Sequence, residues 1–575
     1  MLGLAAAMGV GALRNPLSIF RRGNSQLMQR MHDMEQRIND LERVAPLTFR
    51  LIHYNVLADQ YASNLQPWFL YGADPPISDD ERQELFTKFY ERDAKGALAN
   101  AGWPKWAPDV LLSPERRAML EEHDERIFKW STRSSRLWDE LEQSRSDLIT
   151  LAECDHYDDF WRDRLAAAGY DSVWRQRPRD SSRDGSLIAW RTSCFELVAE
   201  GGMDFANSID EQESGKLDRT LLLALLRFRR NPDQRVLVAT THLARNPEQR
   251  EQTLPRGYQY GLLFRELLSF AKEHNAVDAP VVITGDLNAQ RVEELSGLTK
   301  AVAIAGGGAD RVHPCAISSM QDAPTPPTTR TEARMMRIDY VLYQATKMRL
   351  LGVGAIPALD APMPNAYQPS DHAPVSARFA FRSPHSQLEA DARQWLNAMN
   401  GGTSVRPLNR VELRRAFSFF DKDGSGVITA IELESAISLL GYPNLTARRV
   451  REMVHASCEP GDVPCQARVV EMSDAEIPQA FGFDEFAKAF CMRAFELESE
   501  NLLQLRMAFD AFDRDRDGVL TIDEFVTAIR KVSPTKIDDV TMEGIVTQLD
   551  VDGDGLITID EWVDFCQRNV EQVIA

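Results

Sequence analysis

The chain has 575 residues, of which 43% are hydrophobic and 26% are charged. This length exceeds one ordinary domain, and this composition excludes a wholly disordered protein. Asp and Glu outnumber Lys and Arg by 86 to 66, which gives a net charge of −20. Residues 401–575 alone hold 32 acidic and 18 basic side chains. An acidic C-terminal third argues against nucleic acid binding over the whole surface, and acids clustered in short loops favour hard cations.

Residues 1–45 have the character of a leader. Met1–Leu13 is almost wholly small and apolar, arginines follow, and the first acid is Asp33. Apolar positions from Leu27 to Leu41 alternate in spacings of four and three, which predicts a short amphipathic helix. We expect an intracellular protein of the mitochondrion or plastid, with the cytoplasm as the alternative address. No apolar run reaches the roughly 18 residues that a transmembrane helix needs. The seven cysteines are odd in number and lack a CxxC pair, which predicts a reducing compartment rather than a disulfide framework.

Between residues 46 and 381, short apolar runs alternate with helical stretches. The runs, among them LTFRLIHYNVL, RVLVATTHL and APVVITGDLNA, are bounded by polar turn residues and predict buried strands. Strands interleaved with helices predict a layered α/β domain with its sheets inside. Residues 64–130 interrupt the pattern and predict an insertion. Residues 382–408 contain one amphipathic helix and a Gly-Gly turn, which predict a linker to an all-α region at 409–575.

Three loops of twelve residues in that region match the EF-hand spacing, beginning at Asp421, Asp513 and Asp550. In this motif oxygen ligands stand at positions one, three and five, a glycine turns the chain at six, the carbonyl of seven binds, and a glutamate at twelve closes the site. The apolar eighth positions predict a short β-bridge between neighbouring loops. We expect about three Ca²⁺ sites. The expected ligands are Asp421, Asp423, Ser425, Val427 and Glu432 in the first loop, Asp513, Asp515, Asp517, Val519 and Glu524 in the third, and Asp550, Asp552, Asp554, Leu556 and Glu561 in the fourth.

The second of the four hands is predicted to be degenerate. The third and fourth loops start 37 residues apart, and the same step from Asp421 reaches Cys458 rather than an acid. The expected closing glutamate, Glu485 of GFDEF, follows Cys458 by 27 positions instead of 11. Extra residues, including two prolines, have therefore entered this loop. We expect this hand to keep its helices, complete a pair and bind no metal.

Polar residues follow several of the predicted strands, where α/β folds place their sites. Together they provide carboxylates for Mg²⁺, a base for water, and donors for charge that develops on phosphorus, which are the requirements of metal-assisted phosphoester cleavage. These candidate residues are Asn55, Glu153, His242, Asp286, Asn288, Asp339, Asp371 and His372.

At these residues the chain resembles the endonuclease/exonuclease/phosphatase superfamily, whose DNase I-like fold is a four-layer α/β sandwich. The ordered set Asn, Glu, His, Asp-x-Asn, Asp-Tyr and Ser-Asp-His is complete within residues 46–381. The segments YNVLADQYAS, KWSTRSSRLWDEL, HYDDFW and PSDHAPVSARF are most similar to the deadenylase branch, which includes nocturnin and the angel proteins. Joined to EF-hands, the architecture resembles a plant and algal calcium-binding family of this superfamily. The resemblance implies a Mg²⁺-dependent phosphoesterase, foremost a 3′–5′ exoribonuclease of the deadenylase type, with Ca²⁺ bound by the EF-hands.

The resemblance also implies a role for each candidate residue near the metal and the water. Glu153 would be the principal Mg²⁺ ligand, with Asn55 beside it. Asp286 would orient or deprotonate the attacking water, and Asp371 would complete the metal region.

For the phosphate, the resemblance implies four further roles. Asn288 would hold a phosphate oxygen and His242 would donate to the phosphate. His372 would stabilise the developing charge, with Asp339 holding its ring through the other nitrogen.

Two departures from the family leave the substrate open. Ala152 stands where the family usually has Gln, and Thr240 where it usually has Asn. The arginines of RQRPRDSSRDG, from Arg175 to Arg183, are a candidate basic strip for RNA, with a solvated loop as the alternative. The alternatives to RNA cleavage are a nucleotide 2′-phosphatase that acts on NADP(H), and a calcium sensor with an inactive enzyme domain.

The EF-hand region is also a candidate for a protein partner or an internal one. We expect Ca²⁺ to open an apolar groove onto the predicted linker helix at 386–399. The apolar positions of that helix are Leu388, Ala392, Trp395, Leu396 and Met399.

Overall fold

The computed structural model describes residues 47–62, 78–94, 99, 113–179, 181–304, 318–319, 326–331, 334–344, 347–357, 359–382, 384–400, 408, 410–442, 445–458, 477–497 and 499–569. The predicted leader at 1–45 and the extra residues of the second hand at 459–476 lie outside this set, and so does most of the expected insertion before residue 113. In the described part of the chain, no helix is both long and apolar enough to cross a membrane.

The chain from Thr48 onward forms one unit that is centred on two six-stranded sheets. Its strands are β1 (Thr48–Asn55), β2 (Leu148–Ala152), β3 (Tyr170–Gln176), β4 (Gly185–Arg191), β5 (Phe195–Phe205), β6 (Arg219–Phe228), β7 (Arg235–His242), β8 (Val281–Asp286), β9 (Ser318–Ser319), β10 (Thr329–Arg330), β11 (Met335–Met336), β12 (Asp339–Tyr343), β13 (Met348–Val353), β14 (Val375–Phe381), β15 (Val427–Thr429), β16 (Ala480–Gly482), β17 (Val519–Thr521) and β18 (Leu556–Thr558). The first sheet has the order β13-β14-β1-β2-β4-β3, and the second has the order β5-β6-β7-β8-β12-β9.

The two sheets pack face to face, with helices on their outer faces. Thr284 on β8 donates from its hydroxyl to that of Thr150 on β2 at 2.9 Å, so the inner faces are in direct contact. All five residues of β2 are buried, because a central strand is covered on both faces. This is why its sequence, LITLA, is almost continuously apolar rather than alternating.

The register of the central strands brings the ends of four strands to one edge of the sheets. β1 runs parallel to β2, and β7 runs parallel to β8, with His242 opposite Asp286. β12 is antiparallel to β8 and begins at Asp339, which also lies opposite Asp286. The carboxyl ends of β1, β2, β7 and β8 therefore meet at the start of β12.

The helices fall into two groups, one around the sheets and one at the C-terminal end. Helix Trp130–Ser144 covers the first sheet and Thr253–Glu273 covers the second. The helices are Asp59–Ala62, Asp79–Phe89, Pro114–Ile127, Trp130–Ser144, a π turn at Tyr157–Trp161, Arg162–Ala167, Ile209–Glu213, a short 3₁₀ turn at Arg250–Gln252, Thr253–Glu273, Val292–Ile304, Pro384–Met399, Arg410–Phe420, Ala430–Leu440, Ala447–Cys458, Phe483–Leu497, Ser499–Phe512, Ile522–Val532, Asp539–Leu549 and Ile559–Arg568. The predicted class, α/β with an all-α EF-hand region, is confirmed.

The EF-hand region consists of two pairs of hands. In the second pair, β17 and β18 form the predicted bridge, with Leu520 opposite Ile557. In the first pair, Ile428 lies opposite Phe481 of the second hand. The second hand thus completes a pair, as predicted, with helices Ala447–Cys458 and Phe483–Leu497 on either side.

Each pair of hands packs around an apolar helix that is not itself part of an EF-hand. The linker helix, Pro384–Met399, packs into the first pair through buried residues that include Trp395, whose indole stacks on Phe486 at a centroid distance of 4.2 Å and donates to its carbonyl oxygen at 3.0 Å. In the second pair, helix Val292–Ile304 of the two-sheet domain packs against helix Ser499–Phe512. The linker helix therefore contacts the first pair, whereas the helix in the second pair was not anticipated.

Close packing between Val292–Ile304 and Ser499–Phe512 depends on Gly297. A Cβ added there would lie 2.0 Å from the carbonyl oxygen of Gln504. We expect Gly297→Ala to lower the free energy of unfolding by about 1–3 kcal/mol, as overpacking does, measured by urea denaturation. Gly544→Ala is the matched control, because nothing lies within 4 Å of its added Cβ. This control should gain about 0.5–1 kcal/mol, and an equal gain for Gly297→Ala would contradict the close approach.

Candidate active site

Four of the predicted residues meet at the shared edge of the two sheets. Asn55 ends β1, Glu153 follows β2, His242 ends β7 and Asp286 ends β8. The Asn55 Nδ2 lies 3.3 Å from Glu153 Oε1 and 3.1 Å from Asp286 Oδ2. The His242 ring lies between the same two carboxylates, with Nδ1 3.8 Å from Glu153 Oε1 and Nε2 3.5 Å from Asp286 Oδ2. The edge therefore carries two acids bridged by an amide and an imidazole.

The backbone around Glu153 and Asn55 orients their side chains. Glu153 has a φ of 54°, a left-handed conformation that is uncommon for a residue other than glycine. The amide of Ala58 donates to Glu153 Oε2 at 3.2 Å, and the amide of Leu57 donates to Asn55 Oδ1 at 3.1 Å. Backbone amides of the loop after β1 thus fix the side-chain oxygens of Asn55, at the end of β1, and of Glu153, directly after β2.

The second half of the site is built on β12 and on the loop before β14. His372 Nδ1 lies 2.7 Å from Asp339 Oδ2, as the family motif implies for this pair. The other ring nitrogen, Nε2, lies 3.8 Å from Asp286 Oδ2 and 4.0 Å from Asp371 Oδ2. Asn288 follows β8, and its side-chain amide donates to the carbonyl oxygen of Leu243 at 3.2 Å. All eight predicted residues therefore lie in one contiguous group or directly beside it.

A further residue, Thr328, holds the His372–Asp339 pair, and the motifs did not identify it. Its hydroxyl donates to Asp339 Oδ2 at 2.6 Å and accepts from the amides of Asp339 and Ile338 at 3.2 and 3.1 Å. Thr328 is fully buried. A lone threonine in a loop carries no spacing signal, so only the folded chain reveals this contact.

We expect Thr328→Val to lower kcat by about tenfold with little change in KM, because a hydrogen bond to a charged group contributes about 1.5–3 kcal/mol. Steady-state kinetics would measure this, and Thr328→Ser should restore the rate. Thr220→Val is a control, since its hydroxyl is also buried but donates to the backbone carbonyl oxygen of Met203 instead of to Asp339. Equal loss in both variants would indicate a general structural effect.

The carboxylates at the edge form a buried excess of negative charge. Burial raises the pKa of Glu153 to about 8, and the charges of Asp371 and Asp184 act in the same direction. Burial also raises the pKa of Asp286 to about 6, assisted by Asp339. Acids that resist ionisation together are stabilised by a divalent cation, so the charge of this site fits a bound metal ion.

The two histidines differ in charge. Burial acts to lower the pKa of His372, but Asp339 and Asp371 outweigh it and raise the pKa well above 6.5. Burial lowers the pKa of His242 well below 6.5, and Arg219 acts in the same direction. The site therefore offers one cationic imidazole and one neutral imidazole.

Two positions could in principle hold the metal. Ligand atoms of Asp286, Asp339 and His372 lie within 4.8 Å of one another, but the 2.7 Å contact between His372 and Asp339 already engages two of the facing atoms. Glu153 offers carboxylate oxygens, which Mg²⁺ prefers over imidazole, and Asn55 lies beside it; the Asn55 oxygen would bind the metal in place of its hydrogen bond from the amide of Leu57. The side of Glu153 and Asn55 is therefore the better fit for Mg²⁺.

Arg133, from the segment KWSTRSSRL, is hydrogen-bonded to several loops around the site. Its guanidinium is fully buried and donates to the carbonyl oxygens of Val56, Leu57, Phe128 and Pro369 at 2.8–3.0 Å. Pro369 directly precedes the Ser-Asp-His segment, so one side chain joins the loop after β1 to the loop that carries His372. In the sequence, this segment contributes only to the family resemblance, because the partners of Arg133 are backbone groups of other loops.

The candidate basic strip is largely neutralised by acids of the same domain. Arg175 pairs with Asp204 at 2.9 Å, and both Arg177 and Arg179 pair with Asp218. Because Asp204 and Asp218 lie far along the chain, the sequence did not reveal these ion pairs. The strip is thus neither a row of unpaired cations nor a simple solvated loop.

The two departures from the family lie inside the sheets. Ala152 is fully buried at the end of β2, where its carbonyl oxygen accepts from the amide of Val56 at 3.0 Å. Thr240 is fully buried within β7. Both residues are therefore buried strand positions of the sheets.

The three complete loops of the EF-hand region have the backbone that the motif requires. Position six is left-handed in each, with φ of 84° at Gly426, 89° at Gly518 and 83° at Gly555. Each closing glutamate also accepts from the threonine three residues earlier in a capping box. In every loop, ligand atoms of positions one, three and twelve lie within 4.8 Å of one another, a grouping formed by Asp421, Asp423 and Glu432, by Asp513, Asp515 and Glu524, and by Asp550, Asp552 and Glu561.

Two facing mixed sheets with acids and histidines at their shared edge, joined to paired EF-hands, define a class of protein: a phosphoester hydrolase with a calcium-binding module. Residues 128–372 match the Endonuclease/Exonuclease/phosphatase family, residues 412–441 match an EF-hand domain, and residues 503–567 match an EF-hand domain pair. The α/β domain is therefore an endonuclease/exonuclease/phosphatase domain, and the EF-hands indicate Ca²⁺ binding. Members of this family are metal-dependent hydrolases of phosphoester bonds.

Known relatives are similar to separate parts of the chain. Carbon catabolite repressor protein 4 homolog 4 of Arabidopsis thaliana is 30% identical over 95 residues, which are 16% of this chain and 23% of that protein. Calcium-binding protein CML37 of Arabidopsis thaliana is 33% identical over 162 residues, which are 25% of this chain and 85% of that protein. The solved structure of ANGEL2, a 2′,3′-cyclic phosphatase, in complex with adenosine-2′,3′-vanadate aligns with a TM-score of 0.41 and 18% identity, covering 59% of this chain and 97% of that one.

Proposed function

We propose that this protein is a Mg²⁺-dependent phosphodiesterase that removes nucleotides from RNA 3′ ends, with Ca²⁺ bound by three of its four hands as a regulator. The observation that carries the proposal is the bridging of Glu153 and Asp286 by Asn55, next to a cationic imidazole held by Asp339. This arrangement combines a metal-binding edge with a charged donor.

In the proposed mechanism each residue has one task. Glu153, with Asn55 beside it and Asp371 nearby, would hold Mg²⁺, which supplies positive charge against the phosphoryl oxygens. Asp286 orients the attacking water and accepts its proton. The cationic His372, kept in place by Asp339, donates to the oxygen on which charge develops.

Two further donors complete the phosphate site. The neutral His242 donates from one ring nitrogen to the phosphate. An amide NH₂ has two hydrogens, so Asn288 can donate one to the carbonyl oxygen of Leu243 and the other to a phosphate oxygen.

A small nucleotide is the second candidate substrate. The ion pairs of Arg175 with Asp204 and of Arg177 with Asp218 reduce the positive charge available along an RNA strand. A 2′-phosphate of NADP(H), or a 2′,3′-cyclic phosphate of the kind that ANGEL2 is named for, needs fewer cations.

The deciding experiment offers the purified chain three substrates side by side in Mg²⁺ and Ca²⁺, with Glu153→Gln as the blank. The substrates are a 3′-adenylated RNA, an RNA that ends in a 2′,3′-cyclic phosphate, and NADP(H). Release of AMP from RNA is the expected result. Phosphate from NADP(H), or opening of the cyclic phosphate, with the adenylated RNA intact would replace the substrate, and no product from any of them would overturn the phosphoesterase proposal.

We also propose a mitochondrial or plastid localisation, and the arginine-bearing segment before Asp33, which contains no acid, supports it. A fluorescent fusion of the full chain should localise to one of these organelles, and deletion of residues 1–45 should abolish that localisation. Cytoplasmic fluorescence of both the full chain and the chain without residues 1–45 would favour the cytoplasm instead.

A further inference from the structure

The second pair of hands holds a helix that belongs to the two-sheet domain. Helix Val292–Ile304 begins four residues after Asn288, so it is the direct continuation of the segment that carries Asp286 and Asn288. Its residues Leu298, Ala301 and Val302 are buried in the core of the EF-hand region. In calcium sensors an apolar helix of this kind is the ligand of a pair of hands.

The contact between this helix and the hands is direct and close. Gly297 allows the backbone of helix Ser499–Phe512 to approach so closely that a Cβ would meet the carbonyl oxygen of Gln504. Helix Ser499–Phe512 leads straight into the third calcium loop at Asp513. A movement of this helix on Ca²⁺ binding would therefore be transmitted to Val292–Ile304 without an intervening loop.

The third calcium loop also touches the segment that follows His242. Arg250 donates from Nη2 to the backbone carbonyl oxygen of Asp513 at 2.7 Å. Asp513 is the first expected ligand of that loop, and it is buried. The loop is thus connected to both segments that leave the active-site edge, one after His242 and one after Asn288.

A cavity of about 610 Å³ lies between these segments and the third loop, and its walls carry balanced charge. Its arginines are Arg250, Arg256, Arg291 and Arg516, and its acids are Glu248, Glu294, Asp510 and Asp513. Because the acids offset the arginines, a Ca²⁺ ion bound by Asp513 would shift the local balance toward positive charge.

We infer that helix Val292–Ile304 is the internal target of the second pair of hands, and that Ca²⁺ at the third loop stabilises the active-site segments after His242 and Asn288. The inference rests on the proposed function for its effect on turnover, but the coupling itself does not. We expect Ca²⁺ to increase turnover. A Ca²⁺-bound pair of hands opens an apolar groove, and helix Val292–Ile304 already lies where such a groove would bind it. Chelation should lower turnover at fixed Mg²⁺ by about fivefold or more, the lower range of allosteric coupling.

Glu524→Gln tests the inference in the full-length chain, with Glu432→Gln as the matched control. Each removes the closing carboxylate of one calcium loop, and in the described residues the hydrogen bond to the segment after His242 comes from the third loop. Glu524→Gln should abolish the response of turnover to Ca²⁺, whereas Glu432→Gln should retain it. A response lost equally in both variants would overturn the assignment to the third loop.

Arg250→Ala gives a readout that does not depend on activity. By linkage, loss of the contact to Asp513 should weaken Ca²⁺ binding at one site in a calorimetric titration. Arg229→Ala is the control, because Arg229 donates to the backbone carbonyl of Thr192 within the two-sheet domain. Unchanged Ca²⁺ affinity in Arg250→Ala would contradict the coupling.

Hydrogen exchange separates failure of this inference from failure of the proposed function. Ca²⁺ should slow amide exchange across residues 286–304 of the wild-type chain, whether or not a substrate is turned over. Equal exchange with Ca²⁺ and with chelator would overturn the inference even if the enzyme is active. Slowed exchange in a chain that cleaves none of the three substrates would retain the coupling and reject the proposed function.

Discussion

Glu153→Gln should lower phosphoester turnover in Mg²⁺ by about 10³-fold, because it removes the charge expected to hold the metal. Glutamine keeps an acceptor for the amide of Ala58, which contacts Glu153 at 3.2 Å. The loop after β1 should therefore keep its place while the negative charge is lost. Steady-state kinetics across a Mg²⁺ titration would measure the effect.

Stability separates lost chemistry from misfolding. Burial raises the folded-state pKa of Glu153 to about 8. At any pH above the ordinary pKa of a glutamate, this carboxyl therefore destabilises the metal-free folded chain relative to the unfolded chain. The metal-free Glu153→Gln variant should consequently be at least as stable as the wild type at pH 7. Glu200→Gln, at an exposed position of β5, is the control for removal of a carboxylate. Retention of full activity by Glu153→Gln would contradict the proposed metal site.

His372→Asn should lower turnover by about 10²-fold, as loss of a preorganised donor to a developing charge does. Asp339→Asn should produce a loss of similar size, because Asp339 raises the pKa of His372 and lies 2.7 Å from its Nδ1. The double variant should lose little more than either single one, since the two side chains act as a unit. Kinetics of all three variants in parallel would measure this cycle.

His274→Asn serves as the control for this cycle, because His274 is half-buried at the end of helix Thr253–Glu273, outside the described site contacts. It should leave kcat unchanged. If the losses of His372→Asn and Asp339→Asn multiply in the double variant, the two residues act independently and the proposed pairing is wrong.

Much of the site could be anticipated because the polar residues directly follow apolar runs. Asn55, His242 and Asp286 each end a predicted strand, and Asp339 begins one. The order of the strands in the sheets could not be derived from these runs, because the sequence of an apolar strand does not identify the strand with which it pairs. Thr328 and Arg133 were missed for the same reason: their partners are distant backbone and side-chain groups rather than a local motif.

The candidate basic strip shows the limit of reading charge along the chain. Arg175 and Arg177 lie in a basic segment, yet Asp204 and Asp218 pair with them from β5 and from the loop before β6. A run of basic residues predicts a positively charged surface only when no distant segment supplies acids that pair with it. The choice between RNA and a small nucleotide therefore depends on the folded chain.

The amino-acid sequence alone was sufficient for the calcium loops, because every ligand of an EF-hand lies within twelve consecutive residues and the turn glycine is local. Tertiary structure decided which remote groups meet. Asn55 contacts Asp286 across 231 positions, and Arg250 contacts Asp513 across 263. Helix Val292–Ile304 has the same apolar pattern as any helix that covers a sheet, so its periodicity does not tell which surface buries it. Part of that surface belongs to the second pair of hands, where the backbone at Gly297 closely approaches that of Gln504.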